Sequence, residues 1–220
     1  MFLRKILDVK IKNNQISVTR DANISVIDLE NQIRSHPYTG QNLDKSEETE
    51  KSKVPPFIQV FYFLFFKNLT VPSEKEFCET YISWLGGAVD GKITYEGTEL
   101  KADFLINRMK RTYPSLIRDL HFLYLIEEAR VFDDVEYSMH MDYFKGLDLK
   151  VTNKGKIYFV SLFIDTPRGQ YYKKRKMFRH DYSEIIEIEL NVDFASLKKV
   201  GNIFLLKKEH VGLLVDRINS

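Results

Sequence analysis

The sequence predicts a mixed α+β chain: a central mixed β-sheet flanked by helices and preceded by an N-terminal β-hairpin region. Three observations carry this. The chain opens on strand-like alternation, its middle is dominated by helical periodicity, and short alternating segments follow Arg130 before a closing helical pattern. Hydrophobic residues make up 44% and charged residues 29% of the 220 positions, the balance of a chain that buries a core. At about 150 residues per domain, this is one large domain or one domain with a small appendage.

The elements follow in order. In region 1–34, Ile6, Val9 and Ile11 lead to Asn13-Asn14 and then to Ile16 and Val18, which predicts a hairpin turning at the asparagines. Ser35 to Lys53 (SHPYTGQNLDKSEETEKSK) holds Leu43 as its one aliphatic residue, so burial would not offset its ordering entropy, and 35–54 reads as a linker. Region 55–113 is read as helical. It opens with Pro55-Pro56 and the buried element Phe57 to Phe66 (FIQVFYFLFF). Ser73 followed by Glu76 forms a capping-box signature for a helix running to about Leu85, stopped by Gly86-Gly87. Gly91 to Gly97 is a short β excursion, and LKADFLINRMKR resumes the helical pattern. Region 114–220 is the α/β core, where Pro114 suits the first turn of a helix over Ser115 to Arg130. Strand patterns follow in VFDDVEYSMHMD, GLDLKV and KIYFVSLFID, the last two as antiparallel neighbours. EIIEIELNV and NIFLLKK are further strands, and EHVGLLVDRI is a closing helix.

Composition excludes several classes. With 33 positive and 31 negative side chains, the net charge of +2 creates no global field for nucleic acid or membrane, so any basic site is local. The longest apolar run is far short of the roughly 20 residues that span a bilayer. No secretory signal is visible in MFLRKILDVKIKNN, and a cytoplasmic location is expected. The single cysteine, Cys78, excludes an internal disulfide and reads as a small core residue. His121 and His140 stand at no metal-ligand spacing and read as packing or surface histidines.

The chemistry centres on Gly146-Leu147-Asp148-Leu149-Lys150-Val151. Alternation puts Leu147, Leu149 and Val151 on one face and Asp148 and Lys150 on the other. Glu127 and Glu128 end the long helix upstream and Asp142 precedes Asp148 by six residues, so a carboxylate cluster around one strand is expected, needing a cation to relieve repulsion.

These residues resemble the core of the PD-(D/E)XK nuclease superfamily, the restriction-endonuclease-like fold. There a helix Glu precedes a strand Asp in a Gly-hydrophobic-Asp setting, and the next strand carries an acid or Gln, a spacer and a Lys. Glu127 or Glu128 matches the helix acid, and Asp148 matches the first metal-binding Asp. The chain departs from the pattern on the next strand, where Ser161 and Phe163 stand in place of the acid and the Lys. The resemblance implies Mg²⁺ or Mn²⁺ held by Asp148, Glu128 and Asp142. Lys173, Lys174 or Lys176, from the basic stretch downstream, would replace the missing Lys, with Lys174 taken as the catalytic one. Asp165, about 13 Å further along the strand than Ser161, is a poor substitute for the acid. In such a site the metal polarises a phosphoryl oxygen and activates water.

Local charge adds a second feature. Arg168 to Arg179 (RGQYYKKRKMFR) contains Arg168, Lys173, Lys174, Arg175, Lys176 and Arg179, with Tyr171, Tyr172 and Phe178 and no acid. Cations neutralise phosphates and tyrosines stack on bases, so DNA is the expected partner. Arg108, Lys110, Arg111 and Arg118 form a second cluster, expected to meet phosphate with the helix N-terminus at Pro114. Three functions follow: a metal-dependent endonuclease acting on DNA, with the antiphage or mobile-element association that the resemblance implies; a non-catalytic nucleic-acid-binding or assembly subunit; or a pure scaffold whose basic clusters face solvent and bind nucleic acid only weakly and non-specifically. In the second, the N-terminal region or residues 57–66 would serve a protein partner.

Overall fold

A computed structural model of the chain describes residues 9–11, 14–16, 24–40, 42–138, 141–166, 170 and 185–220. Strands β1 (Val9–Ile11) and β2 (Asn14–Ile16) pair antiparallel, as the alternation predicts, with Ile11 opposite Asn14. Helix α1 (Val26–Ser35) begins at a capping box in which Ser25 and Asp28 satisfy each other's backbone N–H groups. Helix α2 (Glu47–Lys51) lies inside the segment expected to be a linker. That segment is ordered by polar contacts from a distant helix together with apolar packing at its ends, where Tyr38 stacks on Tyr113 and Val54 is buried. Arg108 donates to the Thr49 carbonyl at 2.6 Å, Arg111 donates to the Asp44 carbonyl at 2.8 Å and pairs with Glu50, and Thr49 is buried.

Helix α3 (Phe57–Asn68) is the aromatic run, and eight of its side chains, among them Phe61, Tyr62 and Phe65, are buried in the chain's own core. Its apolar surface is therefore taken up internally, contrary to a partner-binding role for 57–66. Helix α4 (Glu74–Trp84) has Ser73 as its cap, accepting the Glu76 N–H at 3.1 Å, and stops before Gly86 and Gly87. Strands β3 (Lys92–Tyr95) and β4 (Thr98–Lys101) form the expected β excursion as a hairpin. Its turn residues Glu96 and Gly97 both have positive φ, the geometry that matches strand twist.

Helix α5 (Ala102–Ala129) runs unbroken through Pro114, so no helix N-terminus exists there and the 113/114 division falls inside one element. Pro114 has no N–H to offer the Lys110 carbonyl four residues back. Gly40 packs against that carbonyl so closely that a Cβ at position 40 would stand 2.5 Å from it. Tertiary packing of a helix buried along most of its length overrides the local breaker.

Beyond α5 come β5 (Asp134–Glu136), a π-helical turn at Met141–Lys145, β6 (Leu149–Asn153) and β7 (Lys156–Asp165). They are followed by β8 (Glu187–Asp193), β9 (Lys198–Val200), β10 (Ile203–Leu205) and helix α6 (Lys208–Asn219). Strands β5, β6, β7 and β8 form a four-stranded sheet in that order, antiparallel from β5 to β7 and parallel between β7 and β8. The β6–β7 turn again uses two positive-φ residues, Lys154 and Gly155. The apolar face of the sheet, including Val135, Leu149, Val151, Val160 and Leu190, joins the core, with α5 against β5 and α6 against β8. The fold is therefore mixed α+β with a central mixed sheet, as the sequence predicts. Among the described residues no helix is long and apolar enough to cross a membrane.

Candidate functional site

The strand registers bring one set of polar side chains to the other face of the sheet. Glu136 of β5 stands opposite Lys150 of β6, and the lysine ammonium donates to its carboxylate at 2.5 Å. Asp148 immediately precedes β6 and brackets Ser161 of β7. Its N–H donates to the Val160 carbonyl at 2.8 Å, and its Oδ2 accepts the Leu162 N–H at 2.6 Å. The carboxylate thus takes over a backbone partner where the β6–β7 ladder stops. Ser161, fully buried, donates to Glu187 of β8 at 2.5 Å. Phe163, two residues on, is buried on the same face.

The expected metal ligands do not gather. Glu128 accepts the Val26 N–H at 2.6 Å, satisfying the first turn of α1. Asp142 accepts the Tyr137 hydroxyl at 3.1 Å. Burial first, then the Asp142 carboxylate, holds the Tyr137 phenol well above its usual range, so it remains the donor. Asp148, Glu128 and Asp142 each serve a different backbone or phenol partner, and this set does not fit one Mg²⁺. Among the described residues no three His, Cys, Asp or Glu side chains form a metal-holding group. Asp165 ends β7 and accepts from the Gln170 amide at 2.7 Å, away from Ser161 along the strand.

The second basic cluster is corrected by the structure. Arg108 and Arg111 hold the 43–52 segment, and Arg108 also lies over the Phe57 ring at 5.3 Å. Arg118 donates to the Phe204 carbonyl of β10 at 3.0 Å, and burial pulls its pKa down from the ordinary guanidinium value. All three are spent on the fold because the helix they sit on crosses the centre of the molecule. Arg168, Tyr171, Tyr172, Lys173, Lys174, Arg175, Lys176 and Arg179 lie outside the described residues, as does His140. The chain between Thr166 and Ile186 that carries the basic stretch joins the end of β7 to the start of its parallel neighbour β8.

Two polar groupings escaped the sequence reading. Glu187 reaches Ser161 across 26 residues; the alternation Glu187-Ile188-Glu189-Leu190 marks a polar strand face, but only the β7–β8 pairing says what it meets. Buried Glu30 of α1 and His121 of α5 form a cluster with the partly exposed Lys198 of β9, with His121 Nε2 3.0 Å from Glu30 Oε1 and Lys198 paired to the same oxygen. The His121 hydrogen bond, then Lys198, holds the Glu30 carboxyl down at about 2 despite the opposing effect of burial. His121 is a core histidine, and Cys78 is a core thiol pushed up to about 12, first by burial and then by Glu74.

Comparison of the chain with protein-family models, with curated proteins and with solved structures finds no match.

Proposed function

We propose that this chain is a nucleic-acid-binding subunit built on a core similar to the PD-(D/E)XK nucleases but without their cutting machinery. The single observation that carries the non-catalytic reading is the placement of Ser161 and Phe163. The positions beside Asp148 that would hold an acid and a lysine hold a buried hydroxyl and a buried ring. The order of a long helix with Glu127-Glu128 in its last turn, a strand preceded immediately by Asp148 and a hydrogen-bonded next strand supports the likeness to that core. The six cations and the tyrosines of residues 168–179 support DNA binding, through phosphate neutralisation and base stacking.

The test is fluorescence-anisotropy titration of single- and double-stranded DNA and of RNA over a salt series, with Lys173, Lys174, Arg175 and Lys176 replaced together by alanine. Removing one phosphate-neutralising cation makes the slope of log affinity against log salt shallower by about 0.9 for duplex and about 0.7 for single strands. An unchanged slope would remove the stretch from the interface.

A second reading, a metal-dependent endonuclease, is favoured by one observation: Glu187 arrives from β8 on the hydroxyl of Ser161, so an acid stands near the place where the family carries one on the preceding strand. Cleavage lost in Glu187→Gln would favour it.

A further inference from the structure

We infer that the exposed face of α6 beside the end of α5 is an interface for a second copy of this chain, formed by antiparallel pairing of the two α6 helices. A groove of about 580 Å³ lies there, lined by Ala129, Val131 and Val215, by Lys208 and Asp216, and by Glu128, whose carboxylate is held by the Val26 N–H. Val131 on its rim is 44% exposed, and Leu213, one residue beyond Gly212 on α6, is 47% exposed.

Lys208, Gly212, Val215 and Asp216 stand at i, i+4, i+7 and i+8 of α6 and so form one stripe. Gly212 is midway between Lys208 and Asp216. A Cβ built on it meets no atom within 4 Å, so packing among the described residues does not require a glycine there. A glycine inside a helix weakens it, whereas a second helix crossing at that point gains close approach from it.

Charge selects the occupant. A twofold axis through Gly212 places Lys208 of each copy beside Asp216 of the other, so the surface is complementary to itself, as an isologous dimer requires. Among the described residues neither Lys208 nor Asp216 has an ion-pair partner. The neighbouring Arg217 is taken up by the Glu189 carbonyl of β8.

The experiment is sedimentation velocity of the full chain over a concentration series, with Lys208→Glu, Asp216→Lys, their equimolar mixture and Gly212→Leu. Circular dichroism checks that each variant keeps its helices. Wild type is expected to dimerise with rising concentration. Each single charge swap sets like charges opposite at both ends and weakens the dimer by about tenfold or more. The mixture restores association, because each glutamate then meets a lysine. Gly212→Leu fills the crossing and abolishes the dimer while keeping a helix at least as stable. A chain monomeric at its highest soluble concentration, a dimer indifferent to both swaps, or a mixture that fails to recover would each overturn the proposal.

Discussion

Ser161 and Glu187 meet diagonally across the parallel strands β7 and β8, the serine hydroxyl donating to the carboxylate at 2.5 Å. A hydrogen bond to a charged acceptor at a fully buried donor is worth about 1.5–3 kcal/mol. Ser161→Ala is expected to lower stability by about that amount in urea titration. Ser161→Glu sets two carboxylates together and should cost more, with part of the loss recovered in Ser161→Glu combined with Glu187→Gln. No recovery would mean that the two side chains act independently.

Asp148 is a structural anchor before it is anything else, because its carboxylate accepts the Leu162 N–H at 2.6 Å. Asp148→Ala leaves that N–H without its acceptor and is expected to cost about 1–3 kcal/mol. Asp148→Asn, which keeps a carbonyl oxygen, should cost less. Equal stability of the alanine variant and wild type would contradict the anchoring role.

Glu30 gives the acid limb of stability its shape. Its pKa falls from the ordinary 4.5 to about 2 in the folded chain, first through the His121 hydrogen bond and then through Lys198. A depressed acid stabilises the fold above its unfolded value, and that contribution is lost as pH falls from about 4.5 towards 2. Urea midpoints of wild type are expected to drop more steeply over that interval than those of Glu30→Gln. Parallel curves would show that the pair does not drive acid unfolding.

Gly40 packs against the Lys110 carbonyl, which Pro114 leaves without its usual helical N–H partner. Gly40→Ala would place its Cβ 2.5 Å from that oxygen and 2.8 Å from the Tyr38 ring. Overpacking of this kind costs about 1–3 kcal/mol. Thermal denaturation should show the loss, and a neutral alanine would mean that the segment before α2 shifts freely against α5.

The fold was largely legible because most of its signals are local. Ser73 and Glu76 announce α4, the alternation of Leu147, Leu149 and Val151 announces β6, and Asn153-Lys154-Gly155 announces the turn into β7. The misreadings have one physical cause. Pro114 looks like a helix start, and Ser35 to Lys53 looks too polar to order, because the groups that decide otherwise are distant in sequence. Those groups are Gly40 against Lys110, and Arg108 and Arg111 on Thr49 and Glu50. Of the acids expected to gather, the sequence alternation correctly put Asp148 on the polar face of the sheet, beside β7. Glu187, Glu136 and the Glu30 cluster acquire their partners through strand pairing and helix packing, and Glu128 was drawn off by the first turn of α1.

The most direct measurement incubates wild type, Asp148→Ala and Glu187→Gln with single-stranded DNA, double-stranded DNA and RNA, in Mg²⁺, Mn²⁺ or EDTA. Binding and strand integrity are read from the same samples. A binding subunit with Ser161 and Phe163 in the nuclease positions gives salt-sensitive binding and intact strands under every condition. Metal-dependent cutting by wild type that disappears in Asp148→Ala would contradict that account and establish the sheet edge around Asp148 and Glu187 as a working nuclease site.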